Sequence, residues 1–214
     1  DVAPSRGLGD VYKRQVFRME RNRRDGARDG VLICGAYGFG NTGDDAILQA
    51  IIGEMRRIDA HMPVTVLSRR PKDTQRAFGV NACHRFGVFA IRRVMRRSQL
   101  FISGGGSLMQ DVTSRLSLWY YLSTIRMAHG CGCKVQMYGC GIGPIVYARD
   151  KKMAAHVINT CVDKITLREP DSRETLRDFG VTVPEVILAS DPALTLPAAE
   201  HSRIDSILRA HDMD

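Results

Sequence analysis

The stretch GAYGFGNTGDDAIL, residues 35–48, follows a short apolar run and passes into a helical pattern of apolar residues. A buried parallel strand reads as such a continuous apolar run, and glycines after it let the backbone turn tightly and approach a ligand. Two more glycine-rich stretches follow apolar runs in the same way: ISGGGSLMQD (102–111) and GCGIGP (139–144). Three such turns in one α/β domain meet at the carboxyl ends of its strands. The pattern predicts a doubly wound, Rossmann-like parallel α/β sheet with an anion-binding cleft at that edge.

Strand-like and helical segments alternate along the chain from Val31. The predicted strands are residues 31–36, 64–68, 99–104, 134–139, 164–169 and 185–190, and the main predicted helices are 44–58, 90–99, 116–128, 151–162, 172–180 and 201–210, with a short one from Pro71. This alternation is typical of a doubly wound sheet. The expected organisation is a tail at 1–30, the α/β domain at 31–197 and the beginning of a truncated second domain at 198–214. Residues 10–15 back-translate to a sequence that resembles a transposon-derived sequencing adapter, so we expect part of the tail to be foreign.

The composition is that of an ordinary globular protein, since 44% of the 214 residues are hydrophobic and 25% are charged. No apolar run approaches the ~20 residues of a membrane span, and the first residues lack the apolar core of a signal peptide, so we expect a cytoplasmic protein. The six cysteines fit that location. The one close pair, Cys131 and Cys133, has no second pair at zinc-site spacing, so no metal is expected.

The formal net charge is +8, and part of it lies in one predicted helix. The segment AIRRVMRRSQ contains no acid and four arginines, Arg92, Arg93, Arg96 and Arg97, which stack in pairs at i, i+4 spacing. This basic helix is either a solvated face or a contact surface for an anionic partner. That partner is either the lipid headgroups at the inner face of the membrane or a diphosphate-bearing acceptor. A nucleic-acid partner is not expected, because no aromatic residues interleave with the cluster and no nucleic-acid motif is present.

The first glycine-rich stretch formally contains the dinucleotide pattern GxGxxG at residues 38–43. Two features argue against a nicotinamide or flavin cofactor, and we expect none. Residues 68–70, SRR, stand where a ribose-binding acid belongs, although an arginine there also suits the 2′-phosphate of NADP. Asp44 and Asp45 open the helix where they would repel a pyrophosphate, which is the stronger argument. Asp44 is either the helix cap or a carboxylate with a catalytic or acceptor-binding role.

The second stretch is the strongest candidate for binding an anion. Its glycines and serine, which free the backbone to form a cradle after a strand, are Gly104, Gly105, Gly106 and Ser107. Gln110 and Asp111 follow within reach of the same cleft. The alternative is a tight structural turn in which Asp111 caps the next helix.

Arg168 ends a predicted strand where the cleft opens. Arginine pairs in bidentate fashion with carboxylate or phosphate, and the strand-end position favours a ligand role. Glu169 stands beside it, and the alternative for Arg168 is an internal salt bridge.

Five motifs in fixed order, GAYGFGNTGDDAIL, ISGGGSLMQDVTS, GCGIGP, TLREPDSRETLRDFGV and ASDPAL, closely resemble the polysaccharide pyruvyltransferase family, and within it the bacterial cell-wall type. The resemblance spans residues 31–197. It implies the N-terminal half of a two-domain, GT-B-like enzyme that transfers the enolpyruvyl unit of phosphoenolpyruvate to a sugar of a cell-wall or surface polysaccharide precursor. The products are a pyruvate ketal and phosphate. The family's second domain supplies a histidine and further basic residues, so we expect residues 1–214 to be an inactive fragment.

The resemblance and the residue types together predict the site. Catalytic or acceptor-engaging roles are assigned to Asp44, Asp45 and Asp111. Substrate-binding roles are assigned to Gly38, Asn41, Thr42, Gly104, Gly105, Gly106, Ser107, Gln110, Gly141, Gly143, Arg168 and Asp191. The expected partners are phosphoenolpyruvate, whose carboxylate and phosphate suit a dense set of N–H donors, and a glycan acceptor, either free or lipid-linked. Two competing functions are a nucleotide-sugar glycosyltransferase of GT-B architecture and an anion-binding module without chemistry.

Overall fold

The computed structural model describes residues 28–210, so nearly all of the expected tail at 1–30 lies outside the described residues. Its strands are β1 (Gly30–Cys34), β2 (Val64–Ser68), β3 (Asn81–His84), β4 (Ser98–Met109), β5 (Lys134–Ile142), β6 (Lys164–Leu167) and β7 (Glu185–Leu188). Its helices are α1 (Thr42–Ile58), α2 (Pro71–Phe78), α3 (Val88–Arg97), α4 (Arg115–Gly130), α5 (Ala148–Cys161), α6 (Asp171–Asp178) and α7 (His201–Ala210), with a 3-10 helix at Pro192–Thr195. In this part of the chain, no helix is long and apolar enough to cross a membrane.

The seven strands form one parallel sheet in the order β3-β2-β1-β4-β5-β6-β7. Helices cover both of its faces, because successive strand residues alternate between two apolar cores. In β1, Val31 and Ile33 pack in one core with α1, whereas Leu32 and Cys34 pack in the other with α3, α4 and α5. The predicted doubly wound α/β fold is confirmed, and the GT-B partner domain stays a prediction.

The strand β3 is not among the predicted strands. Its sequence, NACH, contains no apolar run, and its side chains are exposed or half-buried. Within the described sheet it is an edge strand that pairs with β2 alone, in a register that joins Thr65 to Asn81. An edge strand needs less apolar burial than a central one, so the pattern of buried runs does not mark it.

Two of the three glycine-rich stretches are not turns, which corrects the sequence prediction. The strand β4 continues through its glycines to Met109, and β5 continues through Gly139 to Ile142. Gly104 and Gly106 pair with Tyr138 and Cys140 of β5, so these glycines lie within the sheet. Gly105 and Gly106 have φ values of 72° and 71°, and the register of β4 against β5 shifts after Gly106. The positive φ values explain why glycine is needed there: they bend the strand without ending it.

The strand order places β1 beside β4 at the centre of the sheet. The chain leaves β1 toward β2 on one side and leaves β4 toward β5 on the other, which makes this the topological switch point. Open α/β sheets bind their ligands outside the carboxyl ends of the strands at such a point. The loop after β1 and the bent second half of β4 therefore border the expected cleft.

Candidate functional site

The loop between β1 and α1, residues 35–41, is held by both neighbouring strands. Tyr37 is buried, and its hydroxyl donates a hydrogen bond to the Gly104 carbonyl of β4 over 2.9 Å. The Arg69 N–H, just after β2, donates to the Tyr37 carbonyl over 3.1 Å. Gly38 has a φ of 78°, and a Cβ on it would meet the backbone after β2 at 2.8 Å. The predicted binding residue Gly38 is thus required by conformation and close packing, and Tyr37, which the sequence analysis did not single out, positions the loop.

Helix α1 begins at Thr42 and is capped by Asn41. The Asn41 side-chain oxygen accepts a hydrogen bond from the Gly43 N–H over 2.9 Å. Asp44 and Asp45 follow in the first turn, where the positive end of the helix stabilises carboxylates. The alternative in which Asp44 is the cap is therefore wrong, because the helix starts two residues earlier than predicted. Asn41 and Thr42 remain exposed at the edge of the cleft.

Asp44 lies against the bent part of β4. Its Oδ1 is 3.3 Å from the position that a Cβ on Gly106 would occupy. Partial burial raises the pKa of the Asp44 carboxyl, the negative charge of Asp45 raises it further, and the positive charge of Arg168 opposes both. Asp44 therefore holds a proton more readily than an exposed aspartate does, and it lies within electrostatic range of Arg168.

The three glycines of β4 serve two different purposes. A Cβ on Gly104 would meet Ile51 Cδ1 of α1 at 2.7 Å, and a Cβ on Gly105 would collide with the side chain of Ile47. These two glycines are thus needed because α1 packs directly on the strand. Gly106 instead lies beside Asp44 and is half-buried at the cleft. Packing therefore accounts for Gly104 and Gly105, which the sequence analysis assigns to an anion cradle, whereas Gly106 keeps that candidate role.

Arg168 follows β6 and reaches two partners from other parts of the chain. Its Nη1 donates to Asp191 Oδ2 over 2.9 Å, and its Nη2 donates to Ser107 Oγ over 3.4 Å. The other carboxylate oxygen of Asp191 accepts from the Ala193 N–H over 2.9 Å, which starts the 3-10 helix. The salt bridge considered as the alternative for Arg168 is thus present. It fixes the guanidinium next to Ser107 at the carboxyl edge of the sheet.

Gly141 of β5 lies directly against the side chains of Arg168, Ser107 and Glu169. A Cβ on it would meet Glu169 Oε1 at 2.7 Å, Ser107 Oγ at 2.9 Å and Arg168 Nε at 3.4 Å. A side chain at this position would push the three polar groups apart. Glu169, which the sequence analysis mentions only as a neighbour of Arg168, therefore also borders the site.

Asp111 has a different environment from Asp44. It is buried, and its two carboxylate oxygens accept from the backbone N–H groups of Val146 and Tyr147 at 2.8 and 3.2 Å. Helix α4 is capped by Ser114, whose side chain accepts from the helix backbone, so the alternative in which Asp111 caps this helix is wrong. With both oxygens engaged, Asp111 holds the loop before α5, and this geometry favours a structural role.

The structure thus brings together one part of the predicted set, which we call the Arg168 cluster: Asp44, Gly106, Ser107, Gly141, Arg168 and Asp191. Gly143 lies apart from it, with its Cβ position 2.8 Å from Gln110 Cβ. A guanidinium, a hydroxyl and a carboxyl whose pKa is raised suit, at the switch point, a small anionic substrate and a proton transfer. Among residues 28–210, no group of three His, Cys, Asp or Glu side chains is arranged to hold a metal ion.

A family model described as polysaccharide pyruvyl transferase matches residues 41–211. The chain belongs to this family. The match begins at the Asn41 cap of α1 and includes every member of the Arg168 cluster. None of the curated proteins compared with the chain matches it. The predicted family is confirmed, and membership of the polysaccharide pyruvyl transferases indicates an enzyme that transfers a pyruvyl group to polysaccharide.

Proposed function

We propose that this polysaccharide pyruvyl transferase takes its pyruvyl unit from phosphoenolpyruvate and forms a cyclic ketal on two hydroxyls of a cell-wall or surface glycan. The observation that supports this most strongly is the placement of Arg168. Its bonds to Asp191 and Ser107 use two of the five N–H donors of a guanidinium, so others are left for a substrate.

Phosphoenolpyruvate matches these donors because its carboxylate and phosphate lie on one three-carbon unit. A guanidinium pairs with either group through two parallel hydrogen bonds. The Ser107 hydroxyl, which is exposed beside Arg168, adds a donor. Asp191 positions the arginine, which reduces the side-chain entropy that is lost on binding.

The proposed reaction balances without a cofactor. The methylene carbon of the enol takes a proton and becomes a methyl group, and two acceptor hydroxyl oxygens bond to the adjacent carbon. The bond from that carbon to the phosphate oxygen breaks, and phosphate leaves. Of the two hydroxyl protons released, one replaces the proton consumed at the methylene carbon and the other leaves with the phosphate. Asp44 is the proposed base for a hydroxyl, since its raised pKa brings it closer to neutral pH.

Activity with defined substrates tests this proposal. The protein is incubated with phosphoenolpyruvate and a glycan acceptor, and phosphate release is followed together with the ketal methyl signal by proton NMR. We expect both signals to appear together and to be lost in Arg168→Gln, but not in Arg76→Gln, which changes an exposed arginine of α2. Sugar transfer from a nucleotide-sugar without ketal formation would instead identify the glycosyltransferase alternative. The family match does not support the expectation that residues 1–214 form an inactive fragment. The absence of both signals from this assay is the outcome which that expectation predicts, and it would contradict the proposed activity of this chain.

The exposed face of α3 is the proposed contact with the membrane that carries a lipid-linked acceptor. Ile91 and Met95 are buried on the core side, whereas Phe89 is 91% exposed on the opposite side. The arginines around it, all exposed, are Arg92, Arg93, Arg96 and Arg97. An exposed aromatic ring within a basic face complements an anionic lipid surface, where each basic residue contributes about 1 kcal/mol.

The proposed location is the cytoplasm. All six cysteines are free thiols, and a reducing compartment keeps cysteines in that state.

Vesicle sedimentation tests this contact. We expect binding to vesicles that contain phosphatidylglycerol and much weaker binding to pure phosphatidylcholine. Arg92→Glu with Arg96→Glu should abolish binding, while Arg76→Glu should leave it intact. Equal binding of all three proteins, or no binding to anionic vesicles, would contradict the contact.

A further inference from the structure

A buried arginine lies at the side of the sheet away from Arg168. Arg85 directly follows β3 and is only 7% exposed. Its guanidinium carbon lies 4.2 Å from the centre of the Tyr120 ring, 5.2 Å from that of Phe39 and 5.3 Å from that of Phe86. Aromatic rings attract a cation to their faces, so this arrangement holds the charge in place.

The charge of Arg85 is not balanced within the described residues. Its Nε is buried without a hydrogen-bond partner, and across residues 28–210 no carboxylate forms a salt bridge with it. Its side chain interacts with the hydroxyl of Tyr121, but a phenol is neutral in the folded protein because burial raises its pKa to about 12. A buried guanidinium without an anion is costly, and an incoming anion recovers that cost.

Two backbone hydrogen bonds hold Arg85 at the end of β3, and a second arginine lies close by. The Arg85 N–H donates to the Ser68 carbonyl over 3.1 Å, and its own carbonyl accepts from the Tyr120 hydroxyl over 3.1 Å. Arg69 lies over the same Phe39 ring at 5.2 Å. We call the rings of Phe39, Phe86 and Tyr120 around this guanidinium the Arg85 cage. Because Phe39 belongs to the loop between β1 and α1, the Arg85 cage and the Arg168 cluster border the same switch point from opposite sides. Tyr121 lies within electrostatic range of both Asp44 and Arg85.

One donor molecule is too short to contact both arginines. Arg85 follows β3 and Arg168 follows β6, five strand spacings apart in the sheet, which is about 24 Å between their backbones. Even with both side chains extended toward each other, each by about 7 Å, about 10 Å would separate the two charges. That distance exceeds a three-carbon acid, so Arg85 contacts either a different ligand or a longer one.

We propose that Arg85, within its cage of Phe39, Phe86 and Tyr120, binds a phosphate or diphosphate group of the glycan acceptor. The rings cover the faces of the guanidinium, so the oxyanion bonds to N–H donors at its edge. Phe39, which is 48% exposed, shields this ion pair from water and offers an apolar surface to the first sugar. The identity of the ligand as the acceptor rests on the proposed function, while the anion site itself does not.

Calorimetric titration of the protein with inorganic diphosphate, and separately with phosphoenolpyruvate, tests the assignment. We expect Arg85→Gln to weaken diphosphate binding at least tenfold and to leave phosphoenolpyruvate binding within twofold. Arg168→Gln should do the reverse, and Arg76→Gln should change neither. Circular dichroism melting shows whether Arg85→Gln folds. If it does not, Phe39→Ala decides, since its side chain is half exposed and its loss should weaken diphosphate binding at least threefold.

The outcomes separate the two proposals. Diphosphate affinity that is equal in wild type, Arg85→Gln and Phe39→Ala, or absent in wild type, overturns the Arg85 site. Loss of phosphoenolpyruvate binding in Arg85→Gln with unchanged diphosphate binding assigns the arginine to the donor and also overturns it. Diphosphate binding that depends on Arg85, in a protein that never binds phosphoenolpyruvate, supports the anion site and refutes the proposed function.

Discussion

Arg168 Nη1 and Asp191 Oδ2 lie 2.9 Å apart and join the end of β6 to the residue that caps the 3-10 helix after β7. Their side chains are 27% and 28% exposed, so the ion pair itself contributes little, about 0–1 kcal/mol, to stability. Its effect is positional. The 3-10 helix that begins after Asp191 packs against α1, and the same pair therefore couples the arginine to the helix that carries Asp44.

Arg168→Gln should weaken phosphoenolpyruvate binding and leave the fold intact. The loss of a hydrogen bond to a charged group costs about 1.5–3 kcal/mol, which corresponds to a roughly 10- to 150-fold higher Kd. Calorimetry measures this change, and Asp191→Asn serves as the comparison. Asp191→Asn frees the guanidinium but keeps its charge, so its effect should be smaller. A Kd for Arg168→Gln equal to that of wild type would restrict Arg168 to a structural salt bridge.

Asp44→Asn should stabilise the protein at neutral pH while reducing transfer. Burial, and then the charge of Asp45, raise the pKa of this carboxyl above its ordinary value of 3.8, so its ionisation costs more in the folded state than in the unfolded state. Stability is therefore lost as the pH rises from 3.8 through the folded-state pKa, and the cost persists above it. Denaturant unfolding should show a more stable variant at pH 7 and equal stabilities in strong acid. Loss of a base should lower the rate about 100-fold or more.

Asp45→Asn separates the charge of Asp45 from the catalytic or acceptor-engaging role that the sequence analysis assigns to it, because a loss of activity as large as that in Asp44→Asn would support that role. The substitution removes the neighbouring charge that raises the pKa of Asp44, so the acid limb of the pH–rate profile should move to lower pH. Most of the activity at neutral pH should remain. An unmoved acid limb would show that another group controls it.

Asn41→Ala should destabilise the protein by about 1 kcal/mol, because it removes the N-cap of α1. Urea unfolding measures the change, and Asn41→Ser should restore most of it. The two variants also separate capping from ligand contact. If Asn41→Ser restores stability but not transfer, the amide contacts the substrate as the sequence predicts; recovery of both would leave Asn41 with the cap role alone.

Gly105→Ala should destabilise the protein by about 2–4 kcal/mol. It places a Cβ at a φ of 72° and against Ile47 of α1, which combines backbone strain with overpacking. Gly53→Ala is the control, since Gly53 lies within α1 with open space around its Cβ position. That change should stabilise the protein by about 0.5–1 kcal/mol, because alanine favours the helix. Similar effects of both substitutions on unfolding would contradict the packing of α1 on β4.

Local patterns in the sequence were sufficient for the class of fold and for the family. Apolar runs followed by glycines mark β1, β4 and β5, and apolar residues at helical spacing mark α1. The spacing is visible in the sequence because the buried face of a helix needs apolar residues at every third or fourth position. The ordered motifs around these elements also predicted Asp44, Gly106, Ser107, Gly141, Arg168 and Asp191 as site residues, and the structure places these six together at one edge of the sheet.

Only the tertiary structure decided how those residues are used. The Arg168–Asp191 pair, the packing of Gly104 and Gly105 under α1, and the aromatic cage of Arg85 join segments that are distant in the chain. Such contacts depend on strand order, register and the packing of helices on the sheet. A residue pattern records that a side chain is buried or lies at a strand end, but it does not record which other segment arrives there.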